Sequence, residues 1–171
     1  MKETKNIVTM NGQSITLVGN QITVGSKSEK FNVLDDKLNI VDSSKFDKKI
    51  KVIASVPSLD TPICELEIKR FNDEAAALSK DVIIIFISMD LPFAQARFNK
   101  VNSIKKVKTY SDHKDIDFGL KYGVLIKEHR LLARAIFIID KEQTVQYVEY
   151  VDDITHAPNY DAALSKLRAM V

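Results

Sequence analysis

The chain has one cysteine in 171 residues, no tryptophan, four prolines and five glycines. A single cysteine excludes an internal disulfide and fits a reducing compartment, with the cytoplasm as the default. No repeat, low-complexity tract or Pro/Gly/Ser-rich linker divides the sequence, so one domain over residues 1–171 is expected. No apolar run approaches a membrane span, and the longest, Val82–Ile87, has the length of a buried strand. The Met1–Met10 stretch lacks the apolar region of a secretory signal. A net charge of +2 is too small to imply a nucleic-acid or membrane surface. The densest basic stretch, Lys100–Lys108, is interrupted by Val101, Ile104 and Val107 and reads as a solvated face. His113, His129 and His156 are scattered without metal-ligand spacing, and Gly25 and Gly123 stand alone. Neither a metal site, a dinucleotide fingerprint nor a phosphate loop is expected, and no cofactor.

What is present is an alternation of strand and helix signals. Asn6–Met10 and Ser14–Val18 flank Asn11-Gly12, the turn pair of a tight hairpin. Phe31–Leu34 and Leu38–Val41 suggest a second hairpin. A β-branched strand, Ile50–Val56, precedes a helix whose apolar face is Ile68, Phe71, Ala75 and Leu78. Asp81–Ser88 reads as a strand covered on both faces. There follow a short helix at Pro92–Phe98, a strand near Val107–Tyr110, and a helix at Ile116–Tyr122 with Gly123 as its C-terminal cap. Ala133–Ile139 and Thr144–Val151 form a hairpin, and Asn159–Met170 closes the chain as an amphipathic helix. Phe31, Phe86 and Phe137 are assigned to the core. The order is that of an α/β, thioredoxin-like fold with an N-terminal β-hairpin extension.

The lone cysteine stands in Val56-Pro57-Ser58-Leu59-Asp60-Thr61-Pro62-Ile63-Cys64-Glu65. Thr61 can cap a helix and Pro62 suits its first position, which puts Cys64 in the first turn. Unpaired N–H groups and the positive end of the helix dipole favour a thiolate there. Without context a lone cysteine is more often a small buried hydrophobe. Glu65, Glu67 and Lys69 flank a helix start, so the position is not deep in a strand core. Asp60 and Glu65 oppose ionisation of the thiol, so a cation must be brought in by the fold.

Pro57-x-x-x-Thr61-x-x-Cys64 resembles the active-site signature of the peroxiredoxins, which reduce hydroperoxides. Three further stretches are similar to the thiol peroxidase branch of that family: Pro57-Ser58-Leu59-Asp60-Thr61, Met89-Asp90-Leu91-Pro92-Phe93-Ala94-Gln95-Ala96-Arg97-Phe98, and Leu132-Ala133-Arg134-Ala135. The resemblance implies that Cys64 is the peroxidatic cysteine, that the Thr61 hydroxyl bonds sulfur and peroxide, that Pro57 shields the thiolate, and that Arg134 keeps it ionised and orients the peroxide. Arginine stays protonated and offers fixed donors, which suits that role. Without the resemblance, Pro57 is a strand stop, Thr61 an ordinary cap and Arg134 a surface residue at the start of a strand. Asp90 and Gln95 are read equally as structural or as walls of a peroxide pocket.

The branch usually carries a second, resolving cysteine after the Arg-Phe of the second stretch. That position is Asn99 here. A Cys64 sulfenic acid must then be resolved by an external thiol, by Cys64 of another subunit, or by a backbone nitrogen. The expected activity is a thiol-dependent peroxidase acting on hydrogen peroxide and organic hydroperoxides, with thioredoxin or another thiol as reductant. The alternative is a peroxide sensor or relay that passes oxidation to a partner protein. A Cys-His hydrolase would instead need a histidine beside Cys64 in space. The resemblance also implies a homodimer, with the Pro92–Phe98 helix near the interface and Leu91, Phe93 and Phe98 as its apolar positions.

Overall fold

The computed structural model describes residues 1–171. In chain order the strands are β1 (Glu3–Met10), β2 (Gln13–Val18), β3 (Asn32–Leu34), β4 (Ile40–Asp42) and β5 (Ile50–Ser55), followed by helix α1 (Pro62–Ala75). Next come β6 (Val82–Ser88), α2 (Pro92–Val101), β7 (Lys108–Ser111), α3 (Asp117–Lys121) and β8 (Leu125–Ile126). The chain ends with β9 (Ala135–Ile139), β10 (Val145–Tyr150) and α4 (Tyr160–Met170). Seven strands form one sheet in the order β10-β9-β5-β6-β7-β3-β4, with β5, β6 and β7 parallel. This is the expected thioredoxin-like order. The N-terminal hairpin is the expected extension, and β8 joins it to make a separate sheet, β1-β2-β8.

The period-2 alternation of side chains in the central strands builds two cores. Val52, Ala54, Ile84, Phe86, Ile136 and Ile138 pack with Ile68 and Phe71 of α1 and with Ala163, Leu164 and Leu167 of α4. Ile53, Ile85, Ile87, Phe137 and Ile139 face the other way, against Phe118 and Tyr122 and against Val8, Ile15 and Leu17 of the hairpin. At the hairpin turn Asn11 and Gly12 both have positive φ, 50° and 78°, as a turn matched to strand twist requires. Gly123 lies just past α3 at φ 64°, where an added Cβ would meet the Asn20 carbonyl oxygen at 2.7 Å. Leu78 lies beyond the end of α1, though it still packs on that core.

The hairpin is also bonded to the far end of the chain. The Thr9 N–H donates to the Asp152 carbonyl at 2.8 Å, and the Ile154 N–H donates to the Thr9 carbonyl at 3.0 Å. Asp153, 5% exposed, fastens the joint. Its carboxylate accepts from Thr9 Oγ1 at 2.6 Å, the Gly12 N–H at 2.9 Å, the Thr155 N–H at 2.9 Å and Thr155 Oγ1 at 2.5 Å. Burial alone would raise its pKa, but bonds from Thr155, Thr9 and Gly12 outweigh that and hold the carboxyl well below the usual range. A depressed carboxylate pKa contributes stability that is present above the unfolded-state value and lost as pH falls toward the folded one. Asp153→Ala is therefore expected to cost about 1–3 kcal/mol near pH 7. The gap from wild type should close as the pH falls below about 4 in chemical denaturation; a gap that stays constant with pH would assign the loss to packing instead.

Candidate active site

The β5 strand runs out at Ser55, and a six-residue loop, 56–61, carries the chain to Pro62, the first residue of α1. The loop is held from the neighbouring strand β6 and the turn after it. Asp90 accepts from Ser58 Oγ at 2.7 Å, from the Leu59 N–H at 2.8 Å and from Ser88 Oγ at 2.7 Å. Gln95, 2% exposed, donates to Ser88 Oγ at 3.0 Å and to the Tyr110 carbonyl at 2.9 Å. Both residues are thus braces for the loop. Pro57 is buried at the end of the strand, and Thr61 occupies the cap position with extended backbone. Its hydroxyl makes no bond to a helix N–H and donates to the Ser58 carbonyl at 3.2 Å. Thr61 thus caps by position and not through its side chain.

Cys64 is fully buried in the first turn of α1, outside any strand. Glu65 does sit at the surface, paired with Lys69 at 2.5 Å. Glu67 does not: it is fully buried, one turn along α1 on the face that carries Cys64. The cation that the sequence demanded is Arg134, 2% exposed and just before β9, so it is no surface arginine. Arg134 Nη2 donates to Cys64 Sγ at 3.2 Å, and Nη1 donates to Glu67 Oε2 at 2.7 Å. Nε and Nη2 both donate to the Ile154 carbonyl, at 3.2 and 3.1 Å. That carbonyl belongs to the segment bonded to the N-terminal hairpin.

Four of the five guanidinium N–H groups are therefore engaged, which leaves the second hydrogen of Nη1 for another acceptor. Burial pushes the Glu67 carboxyl up to about 7, against the opposing pull of Arg134. Sequence reasoning missed Glu67 and Ile154. Glu67 stands three residues after Cys64, a spacing that shares a helix face, and that was the available signal. The histidines lie elsewhere: His113 bonds Ser111 at 2.9 Å, and His156 bonds Asp152 at 3.2 Å. The partner of Cys64 is a guanidinium, and the imidazole of a Cys-His hydrolase is not hydrogen-bonded to it.

A cleft of about 320 Å³ opens beside the loop, lined by Ser58, Asp60 and Glu65 on one side and by Ala94, Arg97 and Phe98 of α2 on the other. Cys64 does not line it. Asn99, the position where the resemblance implied a resolving cysteine, is tied to β7, its Nδ2 donating to Thr109 Oγ1 at 2.7 Å. No helix is long and apolar enough to cross a membrane.

The redoxin family profile matches residues 19–164. A thiol peroxidase of Bacillus subtilis is 44% identical over 96% of this chain and 98% of its own length. A thiol peroxidase of Oceanobacillus iheyensis is 46% identical over 94% of this chain and 97% of its own. The crystal structure of a peroxiredoxin-like protein from Aquifex aeolicus superposes with a TM-score of 0.90 at 40% identity, covering 98% of this chain and 99% of that one. A buried cysteine at a helix start, a guanidinium on its sulfur and relatives matched nearly end to end lead to one conclusion: the chain belongs to the redoxin family, among the bacterial thiol peroxidases.

Proposed function

We propose that this thiol-dependent peroxidase works through Cys64 as its one redox-active residue. The observation that carries the reading is the 3.2 Å contact from Arg134 Nη2 to Cys64 Sγ inside a dry site. A permanent cation there favours the thiolate, the form that attacks peroxide. The thiolate displaces at one peroxide oxygen: the S–O bond forms as the O–O bond breaks, and the leaving oxygen departs with a proton as alcohol or water. Sulfur is left as sulfenic acid. The free Nη1 hydrogen of Arg134 is the donor available to the peroxide, where charge develops on the departing oxygen. The Thr61 hydroxyl is turned toward the Ser58 carbonyl, so its lone pairs can accept the hydrogen of the peroxide. Pro57 walls the sulfur at the strand end. Cys64 is sealed in this conformation, so a peroxide reaches it after the 57–61 loop or the first turn of α1 shifts.

With one cysteine in the chain, resolution falls to an external thiol. It attacks the sulfenic sulfur, releases water and forms a mixed disulfide, and a second thiol frees Cys64. Thioredoxin or a small thiol fits this step, and a reducing cytoplasm fits the unpaired cysteine. We take residues 1–171 as one domain and the molecule as a homodimer through α2. There Leu91 is 52% exposed, Phe93 64% and Val101 74%, whereas Phe98 turns inward onto the core. Sustained turnover with thioredoxin or a small thiol supports the enzyme; one oxidation followed by transfer to a single protein supports the relay.

Three outcomes test this reading. Reduced protein mixed with peroxide should consume about one equivalent per chain in a single turnover, and Cys64→Ser should consume none. Arg134→Met combined with Glu67→Gln, which leaves no buried carboxylate without its cation, should hold less thiolate by ultraviolet absorbance. Its attack should be slower by on the order of 10²-fold; an unchanged rate would mean that Arg134 is the wrong cation. Light scattering should give a dimer that Phe93→Glu weakens, and a monomer at every concentration would refute the assembly.

A further inference from the structure

Around Cys64 there are two groups able to carry negative charge and one cation to balance them. Glu67 Oε2 has the Arg134 Nη1 bond, while Oε1 is buried with no hydrogen-bond partner from the protein. A buried carboxylate normally gathers several donors, and an ionised one left with a single bond is costly. The groups facing it offer no second cation. From α1 come Cys64 and, further out, Arg70, which pairs with Asp161 at 2.7 Å and lies 4.9 Å from the centre of the Tyr160 ring. From β10 comes Glu149, another anion, bonded to Tyr147 at 2.8 Å. From α4 comes Tyr160, whose hydroxyl is pushed up to about 12 by burial and stays neutral. Arg134 is alone.

We propose that Glu67 and Cys64 share one proton across Arg134: Glu67 is a carboxylic acid while Cys64 is a thiolate, and it ionises when the sulfur becomes a neutral sulfenic acid. The inference rests on Cys64 being the nucleophile. Before attack the cluster holds thiolate, guanidinium and carboxylic acid; after it, sulfenic acid, guanidinium and carboxylate. Sulfur is oxidised by two electrons, the peroxide O–O bond is reduced, and the proton given up by Glu67 balances the one gained by the leaving alkoxide. The net charge of the buried cluster does not change. The carboxyl pushed up to about 7 by burial is set to change state near neutral pH. Glu67 is therefore a positioning and charge-balancing residue, which acts on the sulfur through the arginine.

The test is infrared difference spectroscopy on the full-length reduced protein, before and after one equivalent of hydrogen peroxide. The expected result is loss of a protonated-carboxyl carbonyl band and gain of a carboxylate, absent in Glu67→Gln and shifted by isotope-labelled glutamate. The labelling assigns the band even if the variant fails to fold. In single-turnover rates against pH, Glu67→Gln copies the neutral carboxyl and keeps an acceptor for Arg134 but has no proton to give. Its acid limb should stay in place, while the alkaline limb at which Glu67 loses its proton should disappear. A mere structural prop would lower the rate at every pH and leave both limbs as they are. Peroxide consumption with no carboxyl change, or with an alkaline limb that is absent from the wild type or survives Glu67→Gln, overturns proton sharing while leaving Cys64 as the nucleophile. No consumption by the wild type removes both readings.

Discussion

One buried guanidinium is the constraint on which the rest of the structure depends. Arg134 is costly to bury unless its donors are met, and four of its five N–H groups are. The fold supplies a carbonyl from the segment after β10 and, from α1, the carboxyl group of Glu67 and the sulfur of Cys64. The cation thereby locks α1, the start of β9 and the 152–155 segment into one arrangement. The same contacts that satisfy the charge also aim it. Removing any one of them leaves an unpaired polar group in the interior and loosens the orientation of the guanidinium over the sulfur.

Much of this could be read from the amino acids because it is local. Asn11-Gly12 sets a turn, Pro62 after Thr61 starts a helix, and the β-branched runs at 50–55 and 82–88 form strands buried on both faces. What escaped is non-local. A two-residue strand, Leu125–Ile126, exists because β2 offers it an edge, and two residues carry no periodicity. Arg134 has nothing in its neighbourhood to distinguish it from a surface arginine, and only the resemblance lifted it. Glu67 gave no sign of its burial, since charged residues at a helix start ordinarily face water and this one faces Arg134. Thr61 showed the limit of a local rule: the residue type fits a cap, while the hydroxyl turns back to its own loop.

Two side-chain and backbone contacts hold α2 in place. Asn99 bonds the helix to β7, and the chain beyond turns through Asn102, whose N–H meets the Phe98 carbonyl at 2.9 Å. α2 carries no cysteine, so it has no thiol to bring to Cys64. Its inner face packs Phe98 on the core, and its outer face is left with exposed Leu91, Phe93 and Val101. The helix forms one wall of the cleft beside the 56–61 loop.

The joint between the hairpin and Ile154 brings together positions more than 140 residues apart. Contacts of such separation form late, because the intervening chain must already be ordered before they are worth making. A chain under synthesis that has reached residue 130 therefore possesses its thiol but neither the arginine nor the carbonyl that steadies it. Reactivity comes only with completion. The sulfur spends its partly folded life without a cation beside it, and it acquires its cationic partner in the same event that closes it away from solvent.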